Sequence, residues 1–194
     1  MPPNPFDQAC RYLLRRCPAL LLCLLDATED VIVFVRWLNT KLTIPGFPER
    51  ENDMIAHVRR QDQGGMPWAI LIEFQVEPDP LMFGRLLVCE GLIWLLEKPT
   101  EHPGDRFNLL GLVVNLTGTG ATGQDMAWTD DKGTGIQPIE RNLQSFKASD
   151  VLDRIAAGKA PRAALALIPL MIGGGEPGII QRWLEAAQPE AEEP

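Results

Sequence analysis

The stretch WAILIEFQVEPDP, residues 68–80, begins as a run of core-forming residues and ends in acids and prolines. Successive side chains of a strand alternate faces, so Trp68, Ile70, Ile72, Phe74 and Val76 point one way, and Ala69, Leu71, Glu73, Gln75 and Glu77 the other. One face is core, and the other turns polar towards its end. An edge or half-exposed strand with a solvated face gives this alternation. So does a strand inside a sheet that presents an acid to a metal ion.

The neighbouring segments set the frame. NDMIAHVRR, residues 52–60, alternates with Asp53, Ile55 and His57 on one face; QDQGG is a turn, and WAILIEFQV returns, which predicts an antiparallel hairpin. EPDP punctuates, Asp79 can cap, and LMFGRLLVCEGLIWLLEK predicts a long helix that Pro99 closes off. RFNLLGLVVNLTG, nearly all apolar, predicts a central strand covered on both faces.

Upstream, NPFDQACRYLLRRCPALLLCLL reads as helix, capped by Asn4 or Asp7 and divided by Pro18. VIVFVRWL is open between a strand and a buried helix end, and IPGFPERE reads as loop. Downstream, GIQPIERNL predicts a strand, ASDVLDRIAAG a short helix ending at Gly158, and EPGIIQRWLEAA another helix. PRAALALIPLMIGGG, between those helices, is expected to pack back on the core. A strand-strand-helix-strand core preceded by a helix is an α/β layer architecture, a mixed central sheet flanked by helices. A single domain is expected over residues 1–185, with its core at about 5–117, a C-terminal helical extension at about 118–185, and a frayed acidic tail at 186–194.

Bulk composition narrows the function classes. A chain of 194 residues with 45% hydrophobic content buries a real core. Its 18 Lys and Arg against 26 Asp and Glu, a formal charge of −8, exclude a surface built as a whole for nucleic acid, so any basic binding surface is local. Cys10, Cys17, Cys23 and Cys89 have no metal-type spacing and read as reduced thiols of a cytoplasmic protein. RRCPALLLCLLDATED imitates a signal peptide but is short, followed at once by an acid, and lacks a small-residue cleavage site. No apolar run has the length of a membrane span.

Chemistry concentrates on the hairpin. If the register matches their faces, Asp53 meets Glu73 and Gln75, and two carboxylates with the Phe74 carbonyl between make the oxygen-rich site that Mg²⁺ favours. Arg85, one turn into the following helix, can contact phosphate or pair with Glu90 or Asp79. His57 reads as a polar residue at a strand end rather than a general base. GTGATG, residues 118–123, matches G-x-G-x-x-G in form, but QDMAWTDDKGTG after it is turn-forming and opens no helix, so a flexible loop and no nucleotide cofactor are expected. Asn115-Leu116-Thr117 is a glycosylation sequon in form only.

The order of FDQACR in a helix, NDMIAHV and LIEFQ in a hairpin, then EPDPLMFGRLL opening a helix resembles the PD-(D/E)xK nuclease superfamily. Within it, the chain is similar to the Rpn-type recombination-promoting nucleases, also labelled transposases. The resemblance covers about residues 5 to 117. It implies a restriction-endonuclease-like core and a Mg²⁺- or Mn²⁺-dependent DNA endonuclease. In this sequence Asp53 matches the family's aspartate, Glu73 its glutamate, Gln75 the position of the superfamily's lysine, Arg85 the helix arginine, and Asp7 the acid of an N-terminal H-D motif. Asp53, Glu73 and the Phe74 carbonyl would hold the metal, Gln75 would orient water, and Asp7 would be auxiliary. Phe6 stands where the family has histidine, and Val88-Cys89 replaces an arginine-tyrosine pair. A catalytically inactive nuclease-fold module that binds or assembles is the rival reading. A homodimer could form through a hairpin edge or the apolar helix.

Overall fold

The structure is a computed structural model that describes residues 5–42, 50–51, 54–100, 104–118, 122, 124–129 and 132–188. Helix α1 (Pro5–Arg16) starts on a proline, whose missing N–H costs nothing in a first turn, and ends on Arg15 and Arg16, which suit the negative end of the helix dipole. Pro18 separates it from α2 (Ala19–Leu25), as the sequence predicts. Strand β1 (Ile32–Trp37) resolves the ambiguity of VIVFVRWL in favour of a strand.

IPGFPERE is a loop in the sequence reading, and most of it lies outside the described residues. Its end, β3 (Arg50–Glu51), is a short strand pairing with β2 (Lys41–Leu42).

Strands β4 (Met54–Arg60) and β5 (Met66–Gln75) form the predicted antiparallel hairpin, in register from Arg60 opposite Met66 to Met54 opposite Ile72. The turn passes through Gly64 and Gly65 at φ of 70° and 78°, where glycine avoids the cost a side chain would pay. After β5, helix α3 (Met82–Leu96) crosses back, and β6 (Asn108–Asn115) lies parallel to β5. Beyond it come β7 (Gln124–Thr129), β8 (Lys132–Ile136) and β9 (Ile139–Asn142), the last parallel to β6. The chain closes with α4 (Ala148–Ala156), a 3-10 segment Arg162–Leu170, and α5 (Pro177–Ala187).

The central sheet is mixed, in the order β1-β4-β5-β6-β9, with helices packed against it. Two core clusters share it. On one face Ala56, Val58, Ile70, Ile72, Phe74, Leu112 and Val114 meet leucines of α1, α2 and the 3-10 segment. On the other, Ile55, Ala69, Leu71 and Val113 meet Met82, Leu86, Cys89 and Ile93 of α3. Each leucine or isoleucine buried this way stabilises the fold by about 1.5–3 kcal/mol.

Four expectations need correction. β5 is no edge strand with a solvated face: it lies in the middle of the sheet and is buried on both sides, because α3 folds back over its second face. His57 is not at a strand end but in the middle of β4, fully buried. QDMAWTDDKGTG supplies an antiparallel hairpin, β7–β8, rather than turn alone, and with β9 it makes the first part of the 118–185 extension strand rather than helix. The helix at the C-terminus runs on to Ala187, into the segment read as tail, while residues 189–194 lie outside the described residues. The four cysteines are thiols, with Cys10 and Cys89 buried. No described helix is long and apolar enough to cross a membrane.

Candidate functional site

Parallel register aligns three strand ends. Glu73, Val113 and Glu140 stand side by side on β5, β6 and β9, and two residues on so do Gln75, Asn115 and Asn142. Being in step with Ala69 and Leu71, Glu73 and Gln75 lie on the face that α3 covers. Both are buried, at 2% and 7% exposure. Burying a carboxylate without compensation costs several kcal/mol, so its partners matter.

The partner of Glu73 comes from α3. Arg85 places one guanidinium nitrogen 2.7 Å from Glu73 Oε2 and the other 3.0 Å from Asp79 Oδ2. Asp79 lies in the turn between β5 and α3, and its Oδ1 accepts the Leu81 N–H at 2.8 Å. That hydrogen bond, with Arg85 behind it, holds the Asp79 carboxyl below its ordinary value. Asp79 is not the cap its position suggests, since the N-cap of α3 is Leu81 with no side-chain cap; it braces the turn before the helix and is half of a clamp that aims Arg85 at Glu73.

Gln75 is fixed by a chain of amides. The Asp79 N–H donates to Gln75 Oε1 at 3.3 Å, so the amide nitrogen of Gln75 faces the other way and donates to Asn115 Oδ1. Asn115 Nδ2 in turn donates to Asn142 Oδ1 at 2.5 Å. The backbone donor at one end therefore sets the orientation of all three side chains. Among the described residues Gln75 spends one N–H and one lone pair in this way, leaving the second of each for a ligand or water.

Two further titratable groups sit on the same face. The Glu90 carboxyl, half-buried on α3, comes down over Gly111 of β6, where a Cβ would lie 3.2 Å from Glu90 Oε1 and 3.3 Å from Pro138. Burial pushes it up from 4.5 to about 7. His57 packs edge-on against Phe107, ring centroids 4.9 Å apart.

The site residues expected from sequence fare differently. Glu73, Gln75 and Arg85 come together. Asp53 lies outside the described residues. Asp7 is in the first turn of α1, and its side chain is not described. Arg85 pairs with Asp79, one of the partners its place in the sequence offers, and also with Glu73. Asn115 and Asn142, which complete the amide chain from Gln75, are not among the residues the sequence singles out as its partners. The available signal was the amide ending each of LVVN and IERN, which becomes meaningful once the strands are known to be parallel neighbours.

Among the described residues no group of three or more acidic, histidine or cysteine side chains converges on a common point. Of the oxygen donors that a hard divalent ion takes, the described residues bring the Glu73 carboxylate, paired with Arg85, and the Phe74 carbonyl. No family model, curated protein or solved structure matches the chain.

Proposed function

We propose that this chain has a restriction-endonuclease-like fold and is a metal-dependent DNA endonuclease related to the recombination-promoting nucleases. The observation that carries the reading is the Glu73–Arg85 pair at 2.7 Å. The E-x-Q sequence ends a central strand, a short acidic and proline-containing turn follows, and the arginine one turn into the next helix reaches back to the same carboxylate. Three parts of the motif, separated along the chain, act on one point.

Asp53, Glu73 and the Phe74 carbonyl would hold Mg²⁺ or Mn²⁺, which when bound supplies water activation and charge neutralisation at a phosphodiester. The chain's own residues do the rest. Gln75, its amide oriented from Asp79 through to Asn142, offers its remaining N–H or lone pair to water or a phosphate oxygen. Arg85 balances the Glu73 charge while it is buried. Asp7 is auxiliary.

The second reading, an inactive nuclease-fold module, is favoured by one feature of the same pair: Arg85 already brings Glu73 the positive charge an ion would supply. The net charge of −8 also favours it. Purified protein incubated with supercoiled plasmid and Mg²⁺ or Mn²⁺ decides between them. Metal-dependent nicking, lost in Asp53→Asn and Glu73→Gln variants of unchanged circular dichroism, is the expected result. No nicking, together with no heat of Mg²⁺ or Mn²⁺ binding by calorimetry, would establish the inactive module.

A further inference from the structure

Helix α3 is apolar on the side turned away from the sheet as well as on the side against it. Leu81, Leu87, Val88, Trp94, Leu95 and Leu96 are exposed at 72%, 38%, 49%, 47%, 56% and 49%. A helix apolar all round is normally covered all round. Its two internal charges leave this outer face: Arg85 turns to Glu73, and the Glu90 carboxyl lies over Gly111. Between them Gly84, Val88, Gly91 and Leu95 follow one another at helical spacing along the middle of the face. Among the described residues nothing lies within 4 Å of where a Cβ would sit on Gly84 or Gly91.

We propose that this face of α3 is the interface of a homodimer, in which two copies pack their α3 helices antiparallel about a two-fold axis. The proposal does not depend on the nuclease reading. Its argument is self-complementarity. An axis crossing α3 near residue 89 sets Trp94 and Leu95 of one copy over Gly84 of the other, and Leu87 and Val88 over Gly91. Large side chains at one end thus meet the glycine gap at the other, as an isologous contact requires. Glycine at both gaps lets the helices approach closely, so ridges enter grooves.

Area points the same way. The six exposed side chains present roughly 600 Å² of apolar surface, at the top of what a monomer leaves open. A standard interface needs about 800 Å² per partner, most of which these six side chains supply. A lipid surface suits this face less well. Interfacial helices keep a basic face to water, whereas the opposite side of α3 is buried in the sheet, and a chain of net charge −8 is repelled by anionic lipid.

Sedimentation velocity of the full chain over a concentration series tests the proposal, beside Val88→Glu and Gly91→Leu variants. Wild type is expected at twice the 21.5 kDa chain mass, and both variants at the single-chain mass. Gly91→Leu gains helix propensity at a position with no described neighbour within 4 Å, so its circular dichroism keeps the wild-type signature, and loss of the dimer with the fold kept is a loss of the interface. A monomeric wild type would overturn the proposal, as would a dimer that survives both substitutions. A monomer whose tryptophan fluorescence shifts on neutral phosphatidylcholine vesicles would assign the face to lipid instead.

Discussion

On one face of the sheet Ile72 of β5 packs among the residues beneath α1, α2 and the 3-10 segment; the next side chain, Glu73, goes to the other face and meets Arg85 of α3. The first face is apolar through its core and roofed by several segments. The second is roofed by α3 and carries His57, Glu73, Gln75 and Asn115, four of the buried polar residues of the described chain. The difference is one of available partners. A strand end under a single helix lies close to the helix start: the turn supplies the backbone donor of Asp79, and the first turn of α3 the guanidinium of Arg85. The apolar face has leucines above it, and Arg141 of β9, on that face, is engaged by the Leu24 carbonyl rather than by a buried carboxylate. Buried polar groups have therefore collected where the roof is a single helix.

The sharpest way to break this contrast is to move the charge by one residue. Ile72→Glu puts an unpaired carboxylate in a fully buried position and is expected to cost upwards of about 4 kcal/mol, enough to abolish cooperative folding in a chain of ordinary stability. Glu73→Gln, next door, keeps an oxygen for Arg85 and costs about 1 kcal/mol or less. Urea denaturation followed by circular dichroism compares them; equal losses would mean the two faces do not differ.

A smaller effect probes the clamp. Arg85→Ala leaves Glu73 buried beside Asp79 without its cation and is expected to cost about 2 kcal/mol, less than a fully buried pair because the arginine side chain is 41% exposed. Adding Glu73→Gln to Arg85→Ala restores most of that loss. If the double variant is as unstable as the sum of the singles, the two residues are not coupled.

The smallest effect is a pH dependence at Glu90. Its folded value, about 7, lies above the ordinary 4.5, so between those values the native state holds a proton that the unfolded chain releases. The stability it contributes is present below about 4.5 and is lost as pH rises through 7. Glu90→Gln is expected to flatten that stretch of the stability curve and to be more stable than wild type at pH 8 by on the order of 1 kcal/mol, the shift being reduced by solvent screening of a half-buried group. Asp79 acts in the opposite sense and in another window. Its depressed value gives stability that is lost only as pH falls below its ordinary 3.8. Thermal melts at pH 5 and pH 8 suffice; an unchanged difference in the variant would remove Glu90 as the cause.

Residue patterns along the chain determined a good deal. The break at Pro18, the β4–β5 hairpin with its glycine turn, the span of α3 and the buried character of β6 all follow from neighbours within a dozen residues, and local backbone chemistry dictates them. The alternation of Glu73 and Gln75 with Ile72 and Phe74 was equally visible. What alternation cannot carry is which face is solvated, because a polar side chain on a strand looks the same whether water or a guanidinium receives it. That was decided by α3 crossing back over β5 and by β6 lying parallel to it, which bring Arg85 to Glu73 across twelve residues and Asn115 to Gln75 across forty. Neither distance has a local signal: each depends on where a helix lands on a sheet, and only the packing of apolar faces fixes that.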